Sequence, residues 1–306
     1  MAAMKLPSNF KPAPDTDVSR RFIFDDADIR GETVHLDTAF QDILAIRQYP
    51  PGVSRLIGEF LAAAVLLSTT LKFDGKLILQ ARSEGQIPLI MVECSNTLQL
   101  RAIVRGAEQA SSTSFPQLLS NGQLVITVDP TNGKRYQSIV PLMADSLAHS
   151  LDAYFAQSEQ LATRFWLAGD EHRCGGILLQ QLPSQVEGDA FRREEQWQHA
   201  CALAATVSAN ELLELRADTL LHHLYHESPV RIFEPSRIKF QCTCSRERTL
   251  GALTTIDATE LQDILREQGN ITMDCEFCKQ QYRYEEEDLA TLLARPFANI
   301  KAGTVH

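Results

Sequence analysis

Phe240-Gln241-Cys242-Thr243-Cys244-Ser245-Arg246-Glu247-Arg248 and Asp274-Cys275-Glu276-Phe277-Cys278 hold four of the seven cysteines of this 306-residue chain. One pair is spaced C-x-C and the other C-x-x-C, with thirty residues between Cys244 and Cys275. Zinc accepts four sulfurs in a tetrahedron and makes no other geometric demand, so Cys242, Cys244, Cys275 and Cys278 read as the ligands of one zinc ion. The second pair falls where a strand, Ile271-Thr272-Met273, turns into another, Gln281-Tyr282-Arg283-Tyr284, which is the setting of a zinc knuckle. A zinc stub that only holds the tail together has the same spacing. Redox chemistry is the other use: thiolates on a metal are already deprotonated, and so are ready nucleophiles toward an oxidant. Four cysteines allow three disulfide pairings, and spacing alone leaves them open.

The run FQCTCSRER, the gap and the DCEFC knuckle resemble the redox-switch domain of the 33 kDa heat-shock chaperonin family, bacterial redox-regulated holdases. Three further stretches resemble family segments in the same order: Thr69-Thr70-Leu71-Lys72-Phe73-Asp74-Gly75, Tyr154-Phe155-Ala156-Gln157-Ser158-Glu159-Gln160-Leu161 and Leu224-Tyr225-His226-Glu227. The likeness runs from about Phe22 to about Ala294, and the Pro-containing front through Val18 does not align. The resemblance implies a non-enzymatic chaperone that holds unfolded client proteins without ATP. It implies that the reduced, zinc-bound form is off. It also implies that oxidation makes Cys242–Cys244 and Cys275–Cys278 disulfides, releases zinc and unfolds the cysteine domain. The linker then loses its support, apolar surface is exposed, and the active form is a homodimer.

Composition sets outer bounds. The chain is long enough for one large or two to three modest domains, and at 44% hydrophobic it can bury a core. A net charge of −10 argues against an extended nucleic-acid footprint, which needs a basic face. The longest apolar run, Phe60 to Leu67, is short of membrane-spanning length, and no secretory signal pattern opens the chain. Seven cysteines, an odd number in a metal-like cluster, fit a reducing cytoplasm where a disulfide is transient and sensory.

Residues 1–18, with Pro7, Pro12 and Pro14, read as a flexible tail. Phe22-Ile23-Phe24 and Glu32 to Leu36 read as partner strands, and Thr38 to Gln48 as a helix that Pro50-Pro51-Gly52 breaks. Ser54 to Thr70 is apolar nearly all round between Phe60 and Leu67, which predicts a buried central helix. Strands follow at Lys76–Ala81, Ile87–Cys94, Leu98–Val104, Leu124–Val128 and Arg135–Val140, then a helix over Asp145–Ser158, then strands at Thr163–Leu167 and Gly176–Gln181. Strands in runs predict an α+β domain over residues 19–184 with a mostly antiparallel sheet. Residues 185–235 read as a helical linker, helical from Phe191 to Glu227. Phe191, Trp197, Cys201, Leu203 and Ala204 give it only a thin apolar face, which depends on a neighbour for burial. Residues 236–306 read as a small zinc-binding domain. It has a helix capped by Asp257-Ala258-Thr259-Glu260 and ended by Gly269, and a last helix over Glu285–Leu293. A core of that size is marginal, and structural zinc contributes on the order of 10–16 kcal/mol in small peptide domains.

Other candidates are weaker. His222 and His226 share a helical face, but no carboxylate pattern completes a metal site. Cys94, Cys174 and Cys201 read as small buried hydrophobes. No P-loop, G-x-G-x-x-G or H-E-x-x-H is present, and nothing orders a Ser/His/Asp triad. Two rivals to the redox holdase are a zinc-ribbon adaptor for a protein or nucleic-acid partner, and a thiol–disulfide oxidoreductase using Cys275 and Cys278. The second normally needs its motif at a helix start in a βαβ unit.

Overall fold

Where every second side chain is apolar, as at Leu77, Leu79 and Ala81, the chain forms a strand with one buried face. The computed structural model describes residues 16–142, 145–158 and 161–293. The strands are β1 (Val18–Phe24), β2 (Ile29–Leu36), β3 (Gly75–Arg82), β4 (Leu89–Ser95), β5 (Gln99–Arg105), β6 (Gly122–Pro130), β7 (Tyr136–Leu142), β8 (Thr163–Gly169), β9 (Cys174–Gln181), β10 (Val230–Ile232), β11 (Ser236–Arg237), β12 (Lys239–Phe240), β13 (Ile271–Asp274) and β14 (Gln281–Tyr284). The helices are α1 (Thr38–Leu44), α2 (Pro51–Thr70), α3 (Phe115–Leu118), α4 (Leu147–Ser158), α5 (Ala190–Ala204), α6 (Ala209–Glu214), α7 (Ala217–Tyr225), α8 (Arg246–Leu253), α9 (Ala258–Gln268) and α10 (Glu286–Leu293).

By its contacts the chain divides into two compact units after Gln241. The first contains two six-stranded sheets. One has the order β10-β1-β2-β9-β8 with β11 also on β1, and the other the order β12-β5-β4-β3-β6-β7. Their pairings are antiparallel except β12 with β5, so the expected α+β class with mostly antiparallel sheet is the observed one. Helix α2 touches β2, β8 and β9 on one side and β3, β4 and β5 on the other. Its 20 residues are long and apolar enough to cross a membrane, but the two sheets take up that apolar surface, and Phe60 through Leu66 are fully buried. The apolar run predicted this burial. Pro50-Pro51-Gly52 separates α1 from α2 by starting the second helix: Pro51 is its first residue, where a missing N–H costs nothing.

Some boundaries move. The tail expected through Val18 ends sooner, because Val18 opens β1 and the Asp17 carboxylate accepts the N–H groups of Asp37, Thr38 and Ala39 at 3.0, 3.2 and 3.0 Å. These are unpaired donors at the start of α1, which a carboxylate satisfies. The prolines of residues 1–15 and the stretch 294–306 lie outside the described residues. One glycine is dictated by packing: Gly31 on β2 faces Phe22 on β1, and a Cβ there would meet the ring at 2.1 Å.

The segment expected to be helical throughout is three helices, α5, α6 and α7. Ser208 starts α6 with a complete capping box to Glu211. Their apolar side chains find the neighbour that a thin face requires on the first sheet. Trp197, Ala200, Leu212, Leu220, Leu221 and Tyr225 form one core with Phe22, Phe24, Ile29, Ile177 and Leu179. The Tyr225 hydroxyl donates to the Ala200 carbonyl at 3.1 Å and ties α7 to α5. At the front of the segment, Asp28 accepts the N–H groups of Gln185, Val186 and Glu187 at 3.0, 2.9 and 3.2 Å.

The second unit is small. Leu253, Leu261, Ile271, Tyr284, Leu289 and Leu292 are its buried core. Asp257 caps α9 by accepting the Thr259 N–H, and Gly269 ends it at φ +74°. The β13–β14 hairpin is the strand pair that the sequence predicts.

Candidate metal centre

The second unit brings Cys242, Cys244, Cys275 and Cys278 together. Their sulfurs all lie within 4.8 Å of one another, and among the described residues they are the group of thiol, imidazole and carboxylate donors placed to hold a metal ion. Sulfurs about 2.3 Å from a central zinc stand about 3.8 Å apart at the corners of a tetrahedron. Two observed separations, 3.6 Å for Cys242–Cys275 and 3.4 Å for Cys244–Cys278, are close to that edge. The donor set therefore fits a four-coordinate thiophilic ion.

Local structure explains the convergence. Cys275 and Cys278 occupy the turn between β13 and β14. There the Cys275 N–H donates to the Gln280 carbonyl (2.9 Å), and the Lys279 N–H donates to the Cys275 carbonyl (2.8 Å). Lys279 takes φ +60°, the left-handed conformation that reverses the chain. Cys242 and Cys244 lie in the loop between β12 and α8. Ser245 caps α8 by accepting the Arg248 N–H at 3.2 Å, and the Arg248 guanidinium returns to the Thr243 carbonyl and hydroxyl at 2.5 and 2.9 Å. That brace fixes the residue between the first two sulfurs. The Tyr282 hydroxyl donates to Cys244 Sγ at 3.1 Å. Beside it, Tyr284 is fully buried under the Arg246 guanidinium, 4.5 Å from the ring centre, and Arg246 also pairs with Asp288 at 2.7 Å.

As free thiols Cys242, Cys244 and Cys278 are unequal. Burial acts to raise Cys244, but hydrogen bonds from Tyr282 and the neighbouring thiols outweigh it and bring it down to about 7. Burial raises Cys242, with the backbone N–H of Cys244 opposing. Burial and the three other cysteines push Cys278 well up. Thiolates packed this closely repel one another, and a cation among them favours the charged form.

The remaining cysteines stay out of this cluster. Burial pushes Cys94 and Cys201 up to about 12 and Cys174 well above its ordinary value. His222 and His226 lie with ring centres 5.9 Å apart on α7, and no third ligand joins them among the described residues. Tyr282, Arg248 and Ser245 were not foreseen as parts of the site. Ser245 followed by the acidic Glu247 in the first turn is a helix-start signal that could have located α8, but nothing in the sequence aims Tyr282 at a sulfur.

A family model described as Hsp33 protein matches residues 17–285. The chain belongs to the Hsp33 family. A 33 kDa chaperonin of Pseudomonas paraeruginosa is 48% identical over 294 residues, covering 95% of this chain and 99% of its own. Another, from Pseudomonas aeruginosa, is 49% identical over 282 residues, covering 91% and 95%. A solved Hsp33 homologue, the 33 kDa chaperonin of Thermotoga maritima, superposes with a TM-score of 0.76 at 21% identity, over 90% of this chain and 98% of its own. At that identity the likeness speaks for the fold, which this Hsp33 chain shares.

Proposed function

We propose that this protein is a molecular chaperone of the holdase type, switched by the redox state of Cys242, Cys244, Cys275 and Cys278. The observation that carries the reading is the set of four sulfurs within 4.8 Å, in a chain of the Hsp33 family. In the reduced state the four thiolates hold one zinc ion, which serves as a structural staple for a unit whose buried core, among the described residues, is six side chains. The chain works as a core (19–184), a helical linker (185–235) and a switch (236–306). It acts in the cytoplasm, without ATP and with no catalytic step of its own. Its partners are unfolded client proteins and, when active, a second copy; it needs neither nucleic acid nor a membrane.

Activation is oxidation of the sulfurs. Each disulfide forms when two thiolates give up two electrons to an oxidant such as hydrogen peroxide, whose two oxygens take two protons from solvent and leave as two waters. The pairing is Cys242–Cys244 and Cys275–Cys278, as the family resemblance implies. The separations of 3.6 and 3.4 Å both run between opposite pairs, but all four sulfurs are within reach of each other. Disulfide sulfur is not a thiolate ligand, so the switch loses its staple and unfolds, the linker loosens, and apolar surface is offered to clients.

The test is zinc stoichiometry with disulfide mapping. Reduced protein carries one zinc per chain, and peroxide releases it as the two local disulfides appear. Cys275→Ser abolishes tight binding. Stoichiometric zinc in a protein lacking both Cys275 and Cys278 contradicts the assignment, and cross-pair disulfides contradict the pairing.

A further inference from the structure

A cavity of about 510 Å³ opens beside β8, the last strand of the first sheet. Helices α4 and α5 and the start of α6 border it, and Glu59 of α2 forms part of its wall. That is the size of a small-molecule site. Trp166 on β8 and Trp197 on α5 both line it, and they are the only two tryptophans of the chain. Leu167, Val207 and Leu212 add aliphatic wall.

The charges on the wall are matched except one. Asp152 accepts the Phe165 N–H at 2.9 Å and pairs with Arg164 at 3.2 Å. His149 pairs with Asp145 at 3.4 Å. Burial pushes the Cys201 thiol up to about 12, which keeps it neutral. Glu59 is mostly buried, and among the described residues no hydrogen bond or ion pair reaches its carboxylate. Burial raises that group to about 7, with the Arg55 charge opposing, and a cation beside it would restore its charge. A carboxylate that costs the fold stability and faces a cavity is a candidate binding group.

The wall also says which cation fits. A hard metal ion needs several oxygen donors, and among the described residues the only group of donors gathered for a metal is the four cysteines. An organic ammonium needs one acceptor and an apolar wall, and indole is the best aromatic partner for a cation. A primary ammonium brings three N–H donors to an acceptor-only carboxylate. We propose that this cavity binds a small primary amine in its protonated form, with the ammonium on Glu59 and an aliphatic body of several carbons against Trp166 and Trp197. The bound amine touches β8 and α5 together, and so fastens α5 to the sheet.

n-Hexylammonium chloride titrated into the reduced, full-length protein tests this by tryptophan emission, since both reporters line the cavity. The emission changes saturably. 1-Hexanol, the same body without charge, binds at least about tenfold more weakly, and so does the ammonium to Glu59→Gln, because each lacks one charged partner of the hydrogen bond. Ala202→Phe, at an exposed position on the wall, narrows the cavity, keeps the carboxylate and also weakens binding. With ammonium bound, hydrogen exchange over 190–204 slows in wild type and not in Glu59→Gln. No saturable change in wild type overturns the proposal. Equal affinity for 1-hexanol, or equal affinity of Glu59→Gln for the ammonium, overturns it by reducing the site to an apolar hole. Undiminished binding to Ala202→Phe, or unchanged exchange over 190–204, overturns it by putting the ligand elsewhere.

Discussion

Gly58 and Glu59 stand side by side on α2 and respond in opposite ways to substitution. Alanine in place of a helix glycine ordinarily adds about 0.5–1 kcal/mol. At Gly58 the new Cβ would lie 2.7 Å from the Cys174 Cβ. Overpacking of that kind costs about 1–3 kcal/mol, so Gly58→Ala lowers stability in a urea titration. At Glu59 burial raises the carboxyl from 4.5 to about 7, with the Arg55 charge opposing. A carboxyl raised by folding favours the protonated fold, so this group's contribution to stability falls as pH rises from about 4.5 through about 7. Glu59→Gln should therefore gain on wild type by about 1–3 kcal/mol between pH 5 and pH 8. Equal stabilities at both pH values would contradict this. The clustering of the four cysteines was legible because two short spacings, C-x-C and C-x-x-C, each hold a pair of sulfurs together. The Glu59 environment was not, because helical periodicity places the residue on α2 but cannot say that sheets lie on both sides.

At the scale of elements, α5–α7 form a layer on the first sheet. Trp197 is buried there, and Trp197→Ala should cost about 3–5 kcal/mol. The loss should appear as faster hydrogen exchange over 190–225 and as dye binding to the uncovered sheet face, with α2 still protected. Unchanged exchange in α5–α7 would mean that Trp197 does not anchor the layer. The long strands and α2 were legible from periodicity and burial. Strands β10, β11 and β12 were not, since elements of two or three residues have no period to read and exist only because β1 and β5 have free edges. The breaks between α5, α6 and α7 also escaped, although Ser208 with Glu211 is a capping-box signature in the sequence.

For the whole molecule, the division after Gln241 separates a unit with two large apolar cores from one whose core, among the described residues, is six side chains. Chelation of the metal, or Cys275→Ser, should unfold residues 242–293 and make them protease-sensitive. Unit one should keep a cooperative transition of its own, as read by differential scanning calorimetry, with only its linker residues 185–235 loosened. A single transition shared by both units would contradict that independence. The central claim is that oxidation of four cysteines turns on binding of unfolding proteins. Light scattering from a heat-denatured client, with no ATP and with reduced and oxidised protein side by side, measures this most directly. The oxidised, zinc-free protein should suppress aggregation and the reduced, zinc-loaded protein should not. Equal suppression by both forms, or a requirement for ATP, would contradict it.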